Sequence, residues 1–496
     1  MAAQRDVQSV PIGQFTLPVQ GIWQTVASHQ LPPEALYDAR NVVLRAGVLR
    51  PRPALLQFNA TVLTAPTGAT QYVKADGTKI PLLGTISNIY KFESATWTSI
   101  KGATTIGATA AAMTRFTLIE IAGTVYAVMA NGVDSPIQWT GTGNAAAVAG
   151  TPPIFSDVTT SFDRVVGLVP PYTVRWGETL SVLTWPAVNV KTLAETPDKV
   201  VAIRNIGSLG LVVYKERSIW VGWPFGGQSS SAFRFEFVGS YDGPAGPNAI
   251  VDFNGIHYYM TVNGRVGSFN GSRHQWVSDG IWPVIKADID NTYVGRIFGV
   301  ADLKENEVYF WYPRTGDAGE MKGLVYCNLP YPAAGIQSYA SWVGTTIRAC
   351  GAGCEIRLAD NLDKPLVFST TVADQRSFSL DGGTRLDDAQ SFTGYWQTGL
   401  VPTPEIEPSR AVIEPFFLRG AGLGSVTLKL VYSEVLNALA GTLSSGATID
   451  LTATPVREPT GFDNRGRFFG ARVEFTSDAN TKPQYLGANV FVRGLS

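Results

Sequence analysis

The chain has 496 residues, which is too many for one compact core and predicts two or three domains. Hydrophobic residues make up 45% of the sequence and charged residues only 16%, which excludes a disordered chain. Its 39 basic residues balance 40 acidic ones, and this balance argues against a protein that binds nucleic acid or membrane surfaces through bulk charge.

The cysteines indicate folding in a reducing compartment. Cys327, Cys350 and Cys354 are too few for a disulfide framework, and the 350/354 pair lacks the second pair that a zinc site needs. We therefore expect free structural thiols in a protein that folds in a reducing cytoplasm. The start of the sequence has no signal-peptide core, and no apolar run approaches the roughly 18 residues of a membrane span.

The first 60 residues predict an N-terminal arm with a docking hairpin. Residues 31–41 favour a short helix, because Pro33 suits a first helical turn. Residues 42–53 predict a hairpin that turns at Ala46 and Gly47. Arginines gather there with no acidic residue among them, and they form either a basic docking edge or an ordinary solvated edge strand: Arg40, Arg45, Arg50 and Arg52.

Residues 61–380 predict a β-propeller of short four-stranded blades. Glycine (51 residues), proline (30) and aromatic residues (11%) are spread along the chain, as expected for many short strands joined by tight turns. A recurring pattern of strand, glycine turn and aromatic strand has a spacing on the order of 40–50 residues, the length of a blade. Five to seven blades would fill this segment, and a pair of β-sandwiches is the alternative.

Residues 205–285 carry this pattern most clearly. Asn254-Gly255, Asn263-Gly264 and Asn270-Gly271 predict tight hairpin turns, because both residue types accept a left-handed backbone. Residues 233–237 alternate phenylalanine with charge, which is the period of a strand. The whole stretch is predicted to be strands and turns without a helix.

Residues 381–496 predict a C-terminal β-sandwich-like domain. Its strands are longer, most alternate with a period of two, and about 110 residues is the size of one sandwich. A short helix is expected within residues 433–441, with Ser433 as its N-cap.

Motifs that carry catalysis are missing from the sequence. It contains no nucleophile elbow, no phosphate-binding loop and no zinc-protease helix motif. His257 lies among tyrosines in a strand and is expected to be packed rather than basic. Residues 288–291 are expected to be a solvated turn rather than a calcium loop. We predict no enzyme, no catalytic or metal-binding residue and no cofactor.

Several stretches resemble the tail nozzle, or tail hub, proteins of short-tailed bacteriophages. The resemblance covers most of the chain and rests on dispersed patterns. The similar stretches are LVVYKERSIW (211–220), FRFEF (233–237), GPNAIVDFNGI (246–256), NGRVGSFNG (263–271), VSDGIW (277–282), LPPEALYDARNV (31–42), GVLRPR (47–52), GRFFGARV (466–473) and VRG (492–494).

The resemblance implies a structural virion protein of the phage tail. Such a protein forms a ring, typically a hexamer, below the portal and its adaptor, extends the channel for genome ejection and carries fibres or spikes. Viral DNA would pass through the ring without specific binding. A basic lumen would retain the DNA, so we expect no belt of arginine and lysine there.

A carbohydrate-binding or glycoside-cleaving β-propeller, such as a receptor-binding phage protein, is the alternative function. Residues 379–385 (SLDGGTR) partly match a turn found in propeller glycosidases. The match is incomplete, because the threonine comes one residue early and no aromatic residue follows it.

Overall fold

Strands dominate the computed structural model of the protein. It describes residues 9–15, 20–32, 34–45, 48–107, 109, 112–207, 210–226, 229–330, 339–357, 363–372, 374–381, 386–402, 411–421, 425–433, 442–443, 447–450, 468–477 and 484–494. The N-terminal part contributes five strands: β1 (Ser9–Phe15), β2 (Asp38–Arg40), β3 (Val42–Arg45), β4 (Val48–Pro51) and β5 (Ala54–Asn59).

The described residues between Pro66 and Asp381 build a β-propeller of seven blades, each an antiparallel four-stranded sheet. Blade 1 is β6 (Pro66–Val73), β7 (Lys79–Thr85), β8 (Ile89–Glu93) and β9 (Thr96–Ser99). Blade 2 is β10 (Arg115–Ile121), β11 (Thr124–Ala130), β12 (Ile137–Trp139) and β13 (Ala146–Ala147). Blade 3 is β14 (Asp157–Ser161), β15 (Arg164–Val169), β16 (Thr173–Trp176) and β17 (Val190–Thr192).

Blades 4 to 7 continue the same order. Blade 4 is β18 (Val200–Ile206), β19 (Gly210–Lys215), β20 (Ile219–Pro224) and β21 (Phe233–Gly239). Blade 5 is β22 (Ile250–Phe253), β23 (Ile256–Met260), β24 (Val266–Phe269) and β25 (His274–Trp276). Blade 6 is β26 (Phe298–Asp302), β27 (Glu307–Tyr312), β28 (Gly323–Asn328) and β29 (Ala340–Thr345). Blade 7 is β30 (Cys350–Arg357), β31 (Asp363–Ser369), β32 (Ser377–Asp381) and the N-terminal strand β5.

The blades stand radially around an axis, with the first strand of each blade innermost. First strands contact one another between blades 1 and 2, 2 and 3, 3 and 4, 5 and 6, and 6 and 7, and β30 of blade 7 contacts β6 of blade 1. Between blades 4 and 5, β18 contacts the single 3-10 turn Pro247–Ala249 that precedes β22. Blades 4 and 5 meet through buried side chains such as Tyr214 and Tyr259. Successive first strands begin about 40 to 50 residues apart, as the sequence pattern indicated. Radial stacking covers both faces of every sheet, which no blade could do alone.

The ring is closed by an N-terminal strand that completes the last blade. β5 pairs antiparallel with β32, so that Leu55 lies opposite Leu380 and Leu56 opposite Ser379. The sequence assigned residues 54–59 to the N-terminal arm, whereas the structure uses them as the outer strand of blade 7. Pairing residues more than 300 positions apart has no local signal in the sequence.

Two further sheets combine both ends of the chain into the sandwich-like C-terminal domain. Their strands are β33 (Thr393–Gln397), β34 (Val401–Pro402), β35 (Ala411–Ala421), β36 (Ser425–Ser433), β37 (Thr442–Leu443), β38 (Ala447–Asp450), β39 (Phe468–Thr476) and β40 (Gln484–Gly494). One sheet has the order β1-β40-β4-β3, with β35 also pairing β40. The other has the order β2-β33-β39-β36-β37, with β34 on β39 and β38 on β36.

Two expectations about helices are corrected by the structure. Residues 31–41 form no helix in their described part: Leu36 bridges to Ile22, and β2 pairs with β33. Strand partners brought in by the fold outweigh the weak local preference. Conversely, residues 205–285 end in an unexpected helix, α1 (Trp282–Asp288), with Pro283 in its first turn. The helix expected within 433–441 lies outside the described residues.

The predicted tight turns are confirmed. Asn254 and Gly255 join β22 to β23 with φ of 53° and 76°, the left-handed pair of a two-residue hairpin turn. Arg45 lies opposite Val48, so β3 and β4 pair as the expected hairpin, while residues 46–47 themselves lie outside the described residues. Short-range turn chemistry therefore specifies the hairpins within the blades.

One hydrophobic core joins the propeller to the C-terminal domain. It contains Leu44 and Leu49 of the N-terminal hairpin, Trp311 of blade 6, and Trp396 and Leu428 of the C-terminal sheets. Shared burial of this kind holds the two parts together as one unit. Within the described residues, no helix has the length and apolar character needed to cross a membrane.

Candidate functional site: the arginine anchors and the propeller axis

Arg45 of the N-terminal hairpin is anchored on blade 6. Its Nε and Nη2 donate to the two carboxylate oxygens of Glu307 at 2.9 and 2.6 Å. Asp302 lies 3.6 Å from Nη2, and the Tyr309 hydroxyl 3.0 Å. The Arg45 side chain is 11% exposed. Burial is the largest single influence and opposes its charge, but Glu307, Tyr309 and Glu305 together outweigh burial and raise the pKa of Arg45.

Glu307 is the centre of a buried polar network. Asn328 donates from Nδ2 to Glu307 and to the Leu44 carbonyl, both at 3.0 Å. The indole of Trp342 donates to Asn328 Oδ1 at 2.7 Å, and the Tyr309 hydroxyl donates to Glu307. A bidentate arginine–carboxylate pair with further hydrogen bonds fixes geometry strongly, so the hairpin is held on blade 6.

Asp302 lies in the same cluster, where its ionised form is unfavourable. Burial and the neighbouring Glu307 raise the pKa of Asp302 to about 6, although Arg45 acts in the opposite direction. Arg45 thus faces the carboxylates of Asp302, Glu305 and Glu307. One cation among three carboxylates leaves the cluster with excess negative charge.

Arg52 is fully buried, and all five of its N–H donors are used. Nη1 donates to Asp387 Oδ1 at 3.0 Å and to the Pro53 carbonyl at 2.8 Å, while Nε donates to Asn41 Oδ1 at 3.1 Å. Nη2 donates to Asp387 Oδ2 and to the Thr345 carbonyl. The Asp387 carboxylate is also inaccessible to solvent and accepts the Leu55 amide at 2.9 Å. Arg52 therefore ties the N-terminal segment to blade 6 and to the segment that follows blade 7.

The four arginines do not form one basic edge. Arg45 and Arg52 are paired with carboxylates of their own chain, so neither lies on an open basic docking edge or on a solvated one. Arg40 and Arg50 are partly exposed, and for these two a docking role stays a prediction. The sequence could not separate the paired arginines from the partly exposed ones, because the neutralising acids, Glu307 and Asp387, are more than 250 residues away.

A second charged network occupies the propeller axis. Asp157, at the start of β14, is fully buried and accepts hydrogen bonds from Arg204 Nη1 at 2.5 Å and from the Ile203 amide at 2.8 Å. Arg204 lies on β18 of the next blade and also donates to the Pro247 carbonyl. Arg115 of β10 approaches Asp157 from the other side, at 3.5 Å. Inner strands of three consecutive blades thus share one carboxylate.

Asn248 carries this network across the axis. It precedes β22 of blade 5, yet its Nδ2 donates to the Thr67 carbonyl of blade 1 at 2.9 Å. Its Oδ1 accepts from Arg115 Nη1 of blade 2 at 3.1 Å. Thr67 and Thr114 join their hydroxyls at 2.6 Å beside it. Because blades 1 and 5 lie on opposite sides of the ring, these side chains close the axis at this level.

A cavity of about 370 Å³ lies at the same end of the inner strands. Among the described residues, no carboxylate, histidine or cysteine lines it. Its lining includes Met113, Asn131, Ser156, Val200, Pro247 and Gly295. This site was missed by sequence reasoning. Its one local signal is a charged residue in an otherwise apolar inner strand, as with Arg204 in β18.

The histidines are structural groups in the described part of the chain. His257 is fully buried, with Nδ1 2.9 Å from the Tyr214 hydroxyl and Nε2 3.0 Å from the Asn205 carbonyl. Burial lowers the pKa of His257 to about 4, so its ring is neutral at physiological pH. His274 stacks on Tyr241 with ring centroids 4.3 Å apart, and burial lowers its pKa to about 4.

The cysteines and the acidic turn offer no metal site. All three cysteines are buried free thiols, and burial raises the pKa of Cys327 to about 12. Of the predicted solvated turn at 288–291, Asp288 instead ends helix α1 and accepts hydrogen bonds from Tyr312 and Arg314, and Ile289 forms a bridge with Arg314. No group of three or more potential ligands occurs within the described residues. Of the partial glycosidase motif, Ser379 lies buried in β32, and residues 382–385 lie outside the described part.

Comparison with known proteins gives little beyond the fold. No protein-family model matches the chain, and no curated protein matches it. Among solved structures, the chain is similar to a component of the "Crystal Structure of Mitotic Checkpoint Complex", with 9% identity and a TM-score of 0.40. That match covers 66% of this chain and 96% of the other. A likeness this distant carries no argument, and the propeller assignment rests on the seven sheets described above.

Proposed function

We propose that this chain is a structural subunit of the tail nozzle of a short-tailed bacteriophage. It would form a ring, typically a hexamer, below the portal adaptor and extend the channel through which the genome leaves. The sequence resemblance supports this proposal. The buried polar clusters around Arg45, Arg52 and Asp157 support it as well, because each of them joins distant parts of the chain. In this account the protein is not an enzyme and belongs to the virion tail.

The closed propeller axis is the observation that bears most directly on the proposal. Asn248, Arg115 and Asp157 fill the axis with side chains, so a single propeller offers no passage for a double helix. The genome would instead pass between subunits. The propeller would then serve as a wall element of the ring.

The rigid joint between the propeller and the two-sheet domain also supports a wall element. Arg45 and Arg52 connect the N-terminal segment with blade 6 and with the segment after blade 7. A closed ring needs two different, complementary faces on each subunit, held at a fixed angle. A subunit whose propeller and two-sheet domain are joined by buried ion pairs could present two such faces at a fixed angle.

Docking to the adaptor and to fibres or spikes would use surfaces other than these anchors. Arg40 and Arg50 are the remaining candidates, since both keep exposed surface. Their charges would complement an acidic strip on the adaptor or on the neighbouring subunit, and such contacts mainly steer association.

Size-exclusion chromatography with light scattering tests the proposal. The full chain, mixed with the adaptor-bearing portal of the phage that encodes it, should enter a complex with several copies per particle. Arg40→Glu together with Arg50→Glu should weaken that complex, whereas Arg273→Glu, an exposed site on blade 5, should not. A chain that stays monomeric with and without the portal would refute the proposal.

A carbohydrate-binding or glycoside-cleaving propeller is the second candidate, and the cavity of about 370 Å³ is the observation in its favour. Cleavage would need paired carboxylates, and none lines the cavity. Binding of the purified chain to host surface glycans, with saturation, would favour this candidate. The nozzle proposal predicts no such binding.

A further inference from the structure

The chain contains four Asn-Gly pairs, and this dipeptide is the one at which asparagine most readily loses its side-chain amide. The pairs begin at Asn131, Asn254, Asn263 and Asn270. In this reaction the glycine nitrogen attacks the side-chain carbonyl carbon (Cγ) of the asparagine, and it is unhindered because glycine has no side chain. The asparagine side chain must rotate, and the glycine N–H must lose its proton. The fold therefore decides which pair reacts.

Asn131 is restrained at both reacting groups. Its side chain is buried, with Nδ2 donating to Asp134 at 2.7 Å and Oδ1 accepting from the amides of Val133 and Asp134 at 3.0 and 2.9 Å. The Gly132 amide donates to the Phe155 carbonyl at 2.8 Å. A backbone carbonyl is a poor proton acceptor, so this pair is protected.

The pair at Asn263 is covered by helix α1. The Gly264 amide donates to the Thr261 carbonyl at 2.9 Å, and the Asn263 carbonyl accepts from the Trp282 indole at 3.0 Å. A side chain added at Gly264 would collide with Ile285 of α1, so the helix packs closely on this turn. The backbone movement that ring closure requires is therefore restricted.

Asn270 is exposed, but its side chain is fixed by its own turn. Its Oδ1 accepts from the amides of Ser272 and Arg273 at 3.1 and 2.8 Å, and the Ser272 hydroxyl adds a third contact at 3.2 Å. Rotation of the side chain toward the Gly271 nitrogen would break these hydrogen bonds, which slows the attack.

Asn254 lacks all of these restraints. It is exposed, and its side chain makes no hydrogen bond with the described residues. The Gly255 amide donates to Asp252 Oδ1 at 3.1 Å. The acceptor on the attacking nitrogen is therefore a carboxylate, which is a stronger base than a backbone carbonyl. Among the four pairs, this one alone combines an unrestrained asparagine side chain with a base on the glycine N–H.

We propose that Asn254 is a site of self-catalysed deamidation, with Asp252 as the general base. Asp252 accepts the Gly255 amide proton while the Gly255 nitrogen forms a bond to Cγ of Asn254. The bond from Cγ to the side-chain nitrogen then breaks, and Asp252 returns the proton to that nitrogen, which leaves as ammonia. Water opens the resulting cyclic imide and gives aspartate or isoaspartate at position 254.

The modification would alter the turn between β22 and β23. Its product carries a new negative charge close to Asp252, and the isoaspartate form lengthens the backbone of a turn in which Asn254 and Gly255 both have a left-handed conformation. This chemistry is independent of the proposed place of the chain in a virion.

Peptide mass spectrometry of the aged full chain tests this proposal. The folded chain is incubated at neutral pH and growth temperature, and the converted fraction is followed at all four pairs. We expect Asn254 to convert at least about tenfold faster than the other three, within the range that a general base contributes. Equal rates at the four pairs, or fastest conversion at another pair, would overturn the proposal without any variant being needed.

Two variants test the role of the carboxylate. Asp252→Asn keeps an acceptor for the Gly255 amide but removes the base, so conversion at Asn254 should slow about tenfold. Asp163→Asn changes an exposed aspartate in the corresponding first turn of blade 3 and should leave the rate at Asn254 unchanged. If Asp252 only holds the turn in place, Asp252→Asn will convert as fast as the wild type or faster, and that result would refute the assigned base.

Discussion

At the scale of single residues, the anchors differ in what their charges do for stability. Arg45 and Arg52 both pair with buried carboxylates, but Arg52 balances one partner whereas Arg45 faces three. Neutralising one carboxylate of the acid-rich cluster around Arg45 should therefore stabilise the fold. Neutralising Arg52 of the balanced pair should destabilise it.

Asp302→Asn should increase stability at neutral pH. Because the pKa of Asp302 rises from 3.8 in the unfolded chain to about 6, the folded state favours the protonated acid, and its full ionisation in the folded state costs about 3 kcal/mol. The wild-type chain should thus lose this stability as the pH rises from 4 to 6, whereas Asp302→Asn should not. Urea unfolding at pH 4 and pH 8 measures the difference. Equal gains at both pH values would contradict the assignment.

Arg52→Met should destabilise the protein by about 3–5 kcal/mol, because the Asp387 carboxylate would be left buried without a counter-charge. Adding Asp387→Asn should recover part of the loss, since the amide oxygen can still accept from Leu55. Arg50→Met, at a partly exposed neighbour, serves as the matched control and should cost less than about 1 kcal/mol. Urea unfolding decides, and a loss at Arg50 as large as that at Arg52 would contradict this account.

At the scale of elements, β5 closes the propeller through its backbone. The Leu55 amide donates to Asp387, and the Leu55 carbonyl accepts from Asp388, so both groups point away from β32. Alternation along the strand then directs the amide of Leu56 toward β32. The Leu56 side chain is 40% exposed, so the backbone contributes more than the side chain there.

Leu56→Pro should therefore destabilise the chain on the order of 2 kcal/mol, since proline removes a ladder hydrogen bond of the closing strand. Leu56→Ala keeps the amide and should cost much less. Hydrogen exchange of blade 7 measures the effect directly and should show faster exchange in the proline variant alone. Equal exchange in both variants would mean that β5 does not close the ring.

The sequence predicted elements that depend on neighbouring residues and missed those that depend on distant ones. The Asn254–Gly255 turn, the pairing of β3 with β4 and the spacing of the blades all follow from local turn chemistry and periodicity. The number of blades, the exchange of β5 and the burial of Arg52 depend on partners hundreds of residues away. Residues 31–41 illustrate the limit, because sheet partners outweighed a local helix signal there.

At the scale of the whole molecule, charge balance fits a conduit that releases DNA. With 39 basic and 40 acidic residues the chain has almost no net charge, and Arg45, Arg52 and Arg204 are paired internally. Affinity for DNA grows with the number of phosphates that a protein neutralises. We therefore expect the purified chain to retain no duplex DNA at micromolar concentration and physiological salt. Filter retention with a steep salt dependence would contradict a neutral channel.

Imaging of the phage particle tests the proposed place of this chain most directly. Cryo-electron microscopy of intact tails should show several copies in a ring below the portal, each with a closed seven-bladed propeller, and an open channel between the subunits. An antibody against the chain should label the tail tip in negative stain. A particle in which the chain is missing from the tail, or in which the channel runs through a single propeller, would contradict the account.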